Sequence, residues 1–480
     1  MSERSVVIVG GGLVGSLAAC YFAKRGWKVD LYEKRPDIRL PENNNLVEHR
    51  SINLAISERG FSALRRLDPK LESYVKSLVI PMHGRMIHAL NGKQTSQAYD
   101  EVSKQHINSV GRSTLINVLL DTASNYDLVT LHFNYNFVQA DLDSGRVVVR
   151  DNDGQNKEVT CDLVVGADGA YSKVRQRMMG KVMMNYSQTY IEHGYCEFSM
   201  PPTDSGDYAI DPNHLHIWPR GSFMLIALPN LDKSFTCTLF MPWKQFDQIK
   251  SSKDVVAFFS KYFPDALQLM GPDNVCAEYT ANPKGFLMYI KCTPHTYKGR
   301  TVILGDSAHA MVPFYGQGMN CGFEDVETLD SIMLSILQES GNESERTSEL
   351  SDDQLVRALD EYSAVRSADS GAIVDLALDN YVEMRAKVVD YAYLFRKRLE
   401  AMLHRIFPRH VIPLYTMVSF TSIPYSAVVR QWNRQTVWLR WSIWAIYVAA
   451  AIGVGAMSAR ILGLRAAPLA EIARMLSHRK

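Results

Sequence analysis

The chain opens on a pattern that few folds accommodate. An apolar run, Val6-Val7-Ile8-Val9, enters Gly10-x-Gly12-x-x-Gly15, then a helical stretch over 16–25, then a second apolar run from Val29 to Tyr32 that ends in Glu33. Strand, glycine turn, helix and returning strand make one βαβ unit, which commits the chain to the α/β class. The glycines permit a tight turn and close backbone approach to a pyrophosphate, and Glu33 can hold ribose hydroxyls, with Tyr32, Lys34 and Arg35 bordering an adenosine. The context points to a dinucleotide and does not separate FAD from NAD.

A second stretch applies the same logic. The strand Thr301 to Leu304 ends in Gly305-Asp306, and a turn containing Pro313-Phe314-Tyr315-Gly316 runs into a helix near Gly318-Met319-Asn320. Glycines admit a flat ligand against the backbone, Asp306 can accept hydrogen bonds from ribityl or ribose hydroxyls, and a helix N-terminus favours negative charge. A third element, Asp162-Leu163-Val164-Val165-Gly166-Ala167-Asp168-Gly169, is by itself a strand, a turn and a helix cap. No second Gly-x-Gly-x-x-Gly follows a strand, so a pyridine nucleotide has no domain of its own. Between about 186 and 289, short β runs broken by Pro and Gly suggest an inserted mixed or antiparallel sheet.

Taken in order, Gly10 to Gly15, Ala167-Asp168-Gly169 and Gly305-Asp306 with Gly318-Met319-Asn320 resemble the three flavin motifs of the single-component FAD-dependent aromatic hydroxylases. Arg112, with Leu115 and Leu119 behind it, is similar to that family's arginine helix near the flavin phosphates. The resemblance implies a Rossmann-like FAD-binding domain of the para-hydroxybenzoate hydroxylase type with an inserted β-sheet substrate domain, C-terminal helices and one transmembrane helix. The expected boundaries are 1–80, 105–180 and 295–385 for the FAD domain, 81–104 and 181–294 for the sheet domain, 386–430 for the helices, 437–459 for the anchor and 460–480 for a basic tail. Also implied are FAD bound tightly but non-covalently, NADPH as a transient co-substrate in a shared groove, and O2. The implied cofactor contacts are Gly10, Gly12, Val14, Gly15, Tyr32, Glu33, Lys34, Arg35, Ala55, Arg112, Asp168, Asp306, Gly318, Met319 and Asn320.

A narrower resemblance spans about residues 5 to 425. It is carried by Arg50-Ser51-Ile52-Asn53-Leu54-Ala55-Ile56-Ser57, Pro81 to His88, His193-Gly194-Tyr195, His216 to Arg220, Asn380 to Arg385 and Ile412 to Val418. These segments are similar to the branch of the family that hydroxylates L-kynurenine to 3-hydroxykynurenine in tryptophan catabolism, by way of a C4a-hydroperoxyflavin. Kynurenine is a 2-aminophenyl ketone with an amino-acid end. Its site needs a cation for the carboxylate, acceptors for the ammonium and an apolar slot for the ring. Arg85 suits the carboxylate and Tyr99 adds a hydroxyl; the resemblance places both in the substrate site with Asn380 and Tyr415. Glu383 and Met384 lie one helical turn from Asn380. Strand alternation offers Leu215, Ile226 and Phe240 for the ring. Pro313, Phe314, Tyr315 and Gly316 are expected to shape the oxygen-transfer site, with no catalytic side chain required and His309 read as structural. Rival readings are a membrane-anchored flavin hydroxylase or epoxidase of another aromatic or lipophilic substrate, and a non-catalytic flavin-fold binding protein.

Charge and cysteine usage narrow the partners. With 52 basic and 51 acidic residues there is no electrostatic case for nucleic acid. The 7 cysteines are scattered without a Cys-x-x-Cys and read as reduced core thiols, so neither a disulfide framework nor a metal site is expected. The strand at Val6 leaves no room for a cleavable signal ahead of it, which puts the catalytic body in the cytosol. Trp441 to Ala459 carries no charge over 19 residues, with Trp438, Trp441, Trp444 and Tyr447 towards one end, Arg434 and Arg440 before it and Arg460 and Arg465 after it. That suits a bilayer span, a buried core helix being the alternative. A tail-anchored protein of the mitochondrial outer membrane with its body in the cytosol is the expectation, which the resemblance shares; the endoplasmic reticulum stays open on sequence alone. Asn342-Glu343-Ser344 matches a glycosylation sequon and reads as an exposed polar loop.

Overall fold

The computed structural model describes residues 4–43, 53–341, 343–408 and 410–461. Arg50, Ser51 and Ile52, Asn342 of the sequon and the basic tail beyond 461 lie outside them. The described residues form two compact units, one ending at Ser426 and one beginning at Ala427.

In the first unit, a six-stranded sheet runs in the order Val129–Phe133, Lys28–Glu33, Ser5–Val9, Leu163–Gly166, Thr301–Ile303 and Thr296–Tyr297. All neighbours are parallel except the last pair. Val6 to Val9 are buried to within 4% because helices and loops cover both faces, which is why the strand is continuously apolar. Register does the decisive work. Val9 pairs with Gly166 and Gly166 with Ile303, so three turns far apart in sequence leave the same edge of the sheet side by side. Helices Leu13–Lys24 and Gly318–Glu339 follow two of those turns and pack together through Leu17, Phe22, Phe323 and Leu329.

A mixed seven-stranded sheet takes Gly84–His88 and Gln94–Ala98 together with five strands between Asn185 and Thr293. Alternation separates its faces. Cys196, Phe198, Leu225, Cys237 and Leu239 pack under helices Ser252–Tyr262, Pro264–Met270 and Pro272–Ala281, through Phe259, Phe263 and Met270. Arg85, Leu215, Ile226 and Phe240 line a cavity on the other face. Helix Asp352–Arg385, started by a Ser351–Gln354 capping box, spans 34 residues and brings Asn380 to Met384 to that cavity's edge.

The region expected as C-terminal helices holds Tyr391–Ile406 and the short Leu414–Phe420. The expected transmembrane segment 437–459 falls inside a single helix, Tyr425–Ile461. Among the described residues no helix is long and apolar enough to cross a membrane, so a spanning helix is not part of the fold as described. Much of the stretch's apolar content, including Ile443 and Ile446, belongs to side chains outside the described ones.

Candidate active site

A cavity of about 860 Å³ opens where the glycine turns face the seven-stranded sheet. The cradle end follows from backbone geometry. Gly10 sits at φ +105°, and a Cβ there would lie 2.4 Å from the Ala167 carbonyl oxygen; a Cβ on Gly15 would lie 1.9 Å from the Gly10 carbonyl oxygen. Gly12, by contrast, faces open space. Helix Leu13–Lys24 begins at Gly12 with no side chain capping it, so its first N–H groups are available to a phosphate. Gly12, Val14, Tyr32, Lys34, Arg35, Ala55 and Arg112 all line the cavity, as do Asp306, Gly318 and Met319.

Two acidic residues do more local work than motif logic assigns them. Glu33 lines the cavity, accepting the Gly11 N–H at 2.7 Å on one oxygen and the Arg35 N–H and Nε on the other at 2.9 and 2.8 Å. Burial pushes its carboxyl up, but Arg35 and these hydrogen bonds outweigh that and hold it below the usual range. A carboxylate has acceptor capacity left for a ribose. Asp168 accepts the Lys173 and Val174 N–H groups at 2.7 and 3.2 Å, and the Ser307 hydroxyl at 3.2 Å, while Ser307 accepts the Gly169 N–H. It therefore ties the second turn to the third.

The other end of the cavity gathers around Arg85, whose side chain is 3% exposed. It forms an ion pair with Glu383 at 2.7 Å and reaches the Asn380 oxygen at 3.4 Å. Tyr99 and Tyr415 stack at 4.7 Å, Tyr415 stacks again on Tyr315 at 5.5 Å, and the guanidinium lies 5.2 Å from the Tyr415 ring. Burial raises both the Tyr99 and the Tyr415 hydroxyls, which stay protonated donors. The turn Pro313–Tyr315 closes with Gly316 at φ +67°, and Phe314 stacks on Tyr381 at 3.9 Å and meets Phe240 at 4.8 Å.

Four of the expected site residues do not line the cavity: Gly15, Asn320, Asn380 and Glu383. Gly15 is needed for close packing against Gly10. Asn320 is wholly spent behind the wall, accepting the Ser57 N–H at 2.9 Å and donating to the Ala55 and Gly316 carbonyls at 2.8 Å. Asn380 donates to the Phe314 carbonyl at 2.7 Å, so it links Arg85 to the turn, and Glu383 sits behind Arg85.

His309 is buried and directed away from the cavity. Burial would lower it, but Asp325, 2.6 Å from Nε2, raises it well above the ordinary value. Asp325 also accepts the Gly305 N–H at 2.8 Å and pairs with Arg366 at 2.8 Å. His309, Cys321 and Asp325 bring ligand atoms within 4.8 Å of one another, yet Arg366 already reaches Cys321 Sγ at 3.2 Å and Asp325, so a cationic group fills that corner. Sequence reasoning missed this network, Tyr381, and Lys397, which burial and then Arg85 push down to about 8. Glu324 and Asp325 follow Gly318-Met319-Asn320 within about one helical turn; their partner Arg366, 41 positions beyond Asp325, carries no local signal.

Comparison with known proteins gives a consistent account. The model of the FAD binding domain family matches residues 3–348. The chain is 42% identical over 435 residues to kynurenine 3-monooxygenase of Sus scrofa, covering 91% of this chain and 88% of that one. It is 45% identical over 441 residues to kynurenine 3-monooxygenase of Candida albicans, covering 90% and 92%. Among solved structures, 2-methyl-3-hydroxypyridine-5-carboxylic acid oxygenase superposes with a TM-score of 0.61 at 20% identity, over 85% of this chain and 98% of that one. PqsL of P. aeruginosa in complex with 2-aminobenzoylacetate does so at 0.60 and 17%, over 80% and 97%. At those identities the likeness concerns the fold.

Proposed function

The chain belongs to the kynurenine 3-monooxygenase family of FAD-dependent monooxygenases, and on that premise we propose that this cavity hydroxylates L-kynurenine with NADPH and O2. The cradle fits FAD, since it combines glycines whose Cβ atoms would collide with backbone, an uncapped helix N-terminus and an acidic residue at the end of the second strand. Gly10, Gly12, Val14 and Arg112 would hold the diphosphate, Glu33 and Asp306 the hydroxyls, and Met319 at the start of its helix the pyrimidine side of the ring. Bound FAD supplies the redox chemistry, accepting hydride from NADPH and activating O2 for attack on ring carbon 3.

The protein's own part is placement and exclusion. Arg85 takes the substrate carboxylate, with the Tyr99 and Tyr415 hydroxyls as further donors, and Glu383 behind it holds the guanidinium in place. Leu215, Ile226, Phe240, Phe314 and Met384 make an apolar slot for the ring. The ring amine activates the carbon ortho to it, so no protein base is required, in keeping with a His309 sealed behind the wall. Phe314 and Tyr315 are each 6% exposed, which suits a turn that keeps water from the reacting atoms. In the same reading, residues 81–104 and 181–294 serve the substrate, and 1–80, 105–180 and 295–385 serve the cofactor.

The observation that carries this reading is one buried arginine, flanked by two tyrosines, on the sheet face that also presents Leu215, Ile226 and Phe240 to the cavity. Purified protein should be yellow, and L-kynurenine should stimulate NADPH oxidation with 3-hydroxykynurenine as product. Stimulation by simple phenols instead, or a colourless protein, would sink it. We further propose that helix Tyr425–Ile461 attaches the enzyme to a membrane. The support is the uncharged stretch from Trp441 to Ala459 and the exposure of Trp441, Trp444, Ile452 and Met457, each above 59%. The mitochondrial outer membrane, with the catalytic body in the cytosol, is the location that suits it.

A further inference from the structure

Arg59 does not line the cavity, yet its guanidinium is completely buried and fully engaged. It lies on helix Glu58–Leu67 and donates through Nε to the Val418 carbonyl at 2.8 Å, through Nη2 to the Ile423 carbonyl, and through Nη1 to Glu324. Its Cζ also sits 3.9 Å from the centre of the Tyr425 ring. The carbonyls it meets belong to one segment. Helix Leu414–Phe420 has 7 residues, too few to stand by itself, and the carbonyls of its last turn have no partners within the helix. A buried cation at that end answers both the unpaired carbonyls and the helix dipole. Tyr415 lies on this helix.

The other side of Arg59 leads to the cofactor cradle. Glu324 binds Arg366 at 2.9 Å, Arg366 binds Asp325, and Asp325 holds the Gly305 N–H in the third glycine turn. Alternating charges thus run from the flavin turn to the segment that carries a substrate residue. Gln317 reinforces the same join, donating to the Ser419 hydroxyl at 3.5 Å and accepting from the Tyr425 hydroxyl at 3.1 Å.

We propose that Arg59 is a positioning residue for the substrate: it latches residues 414–425 onto the flavin-motif helix and so holds Tyr415 against Tyr99 and Arg85. The proposal rests on Tyr415 being a substrate residue. The experiment is hydrogen exchange of the FAD-loaded, substrate-free enzyme together with steady-state kinetics, for Arg59→Met and Arg59→Lys. Losing a charge-assisted hydrogen bond should speed exchange of the amides of 414–425 by about tenfold or more, with 5–9 and 163–166 and the flavin content unchanged. KM for kynurenine should rise by about tenfold, kcat should change less, and a larger share of NADPH should end as peroxide. Arg59→Lys, which keeps the charge but not the fork, should fall between, and it carries the test if Arg59→Met does not fold. Unchanged exchange over 414–425 would overturn the latch. So would a loss of protection and flavin throughout the chain in both variants, the mark of a merely structural arginine. Faster exchange confined to 414–425 in a protein that ignores kynurenine would refute the substrate reading and leave the latch standing.

Discussion

Replacing Arg85 by Met tests the substrate site most directly, because Met keeps much of the stem's volume while removing the charge. In the wild type the guanidinium is 3% exposed and held by Glu383, Asn380 and two aromatic rings. A carboxylate reaching it would make charge-assisted hydrogen bonds, worth about 1.5–3 kcal/mol each, in a site with little water. Truncating one partner of such a buried pair costs about 2–5 kcal/mol, part of it because the remaining carboxylate loses its cation. A net loss of about 3–4 kcal/mol corresponds to roughly a 100- to 1,000-fold fall in kcat/KM for kynurenine. Most of it should enter through KM, since the carboxylate is held equally before and during oxygen transfer. The assay follows NADPH loss and hydroxylated product for kynurenine and for its decarboxylated analogue. Wild-type enzyme should prefer kynurenine, and Arg85→Met should lose that preference without losing flavin. Turnover of kynurenine within about threefold of wild type, or equal losses on both compounds, would refute the argument. In a double-mutant cycle Glu383→Gln should be markedly non-additive with it, because the two share one pair.

Gly15→Ala places a methyl 1.9 Å from the Gly10 carbonyl oxygen; relieving that overlap should cost about 1–3 kcal/mol and weaken FAD binding roughly 10- to 100-fold, read as flavin absorbance per protein after gel filtration, and full flavin retention would contradict the cradle geometry. Burial lowers His216 to about 4 and His295 to about 3, against 6.5 when unfolded, so both contribute stability above pH 6.5 that is lost as the pH falls towards 4, on the order of 3 kcal/mol for His216. Tm should therefore fall steadily between pH 6.5 and 4, less steeply in His216→Gln, and a flat profile would count against it. A chain ending before Gln431 should leave the membrane pellet and stay active; one that still sediments with membranes would show that some other surface attaches the enzyme.

What could be read without coordinates was what backbone chemistry makes local. Gly10 and Gly305 announce themselves because their conformations, φ +105° and φ +60° with ψ −139°, exclude nearly every other residue. The strand end, glycine turn and helix start at each motif follow from neighbours in sequence. Alternation likewise sufficed to put Leu215, Ile226 and Phe240 on one face of a sheet, since successive side chains in a strand must point to opposite sides. What stayed hidden is pairing across distance. Arg85 and Glu383 are separated by 298 positions and Arg59 and Val418 by 359, and no periodicity relates them.

The expected site residues that lie off the cavity follow from the same division. Asn320 and Gly15 belong to flavin motifs, and a motif reports that a residue type is needed without reporting on which side of the backbone. Both lie behind the cavity wall, Gly15 letting its helix close on Gly10, Asn320 holding Ala55 and Gly316 where they meet the cavity. The cradle is therefore only as rigid as what fastens it from behind. Gly305 is fastened by Asp325, which is balanced by Arg366 and His309, and Arg366 shares Glu324 with Arg59 at the far end. Removing one charge from such a buried row leaves its neighbour uncompensated, so the row behaves as a unit. The turn that shapes the cofactor site and the short helix that bears Tyr415 are thereby held to the same helix, Gly318–Glu339. A substrate end and a cofactor end built from interleaved stretches of the sequence keep their spacing because one buried set of charges holds both.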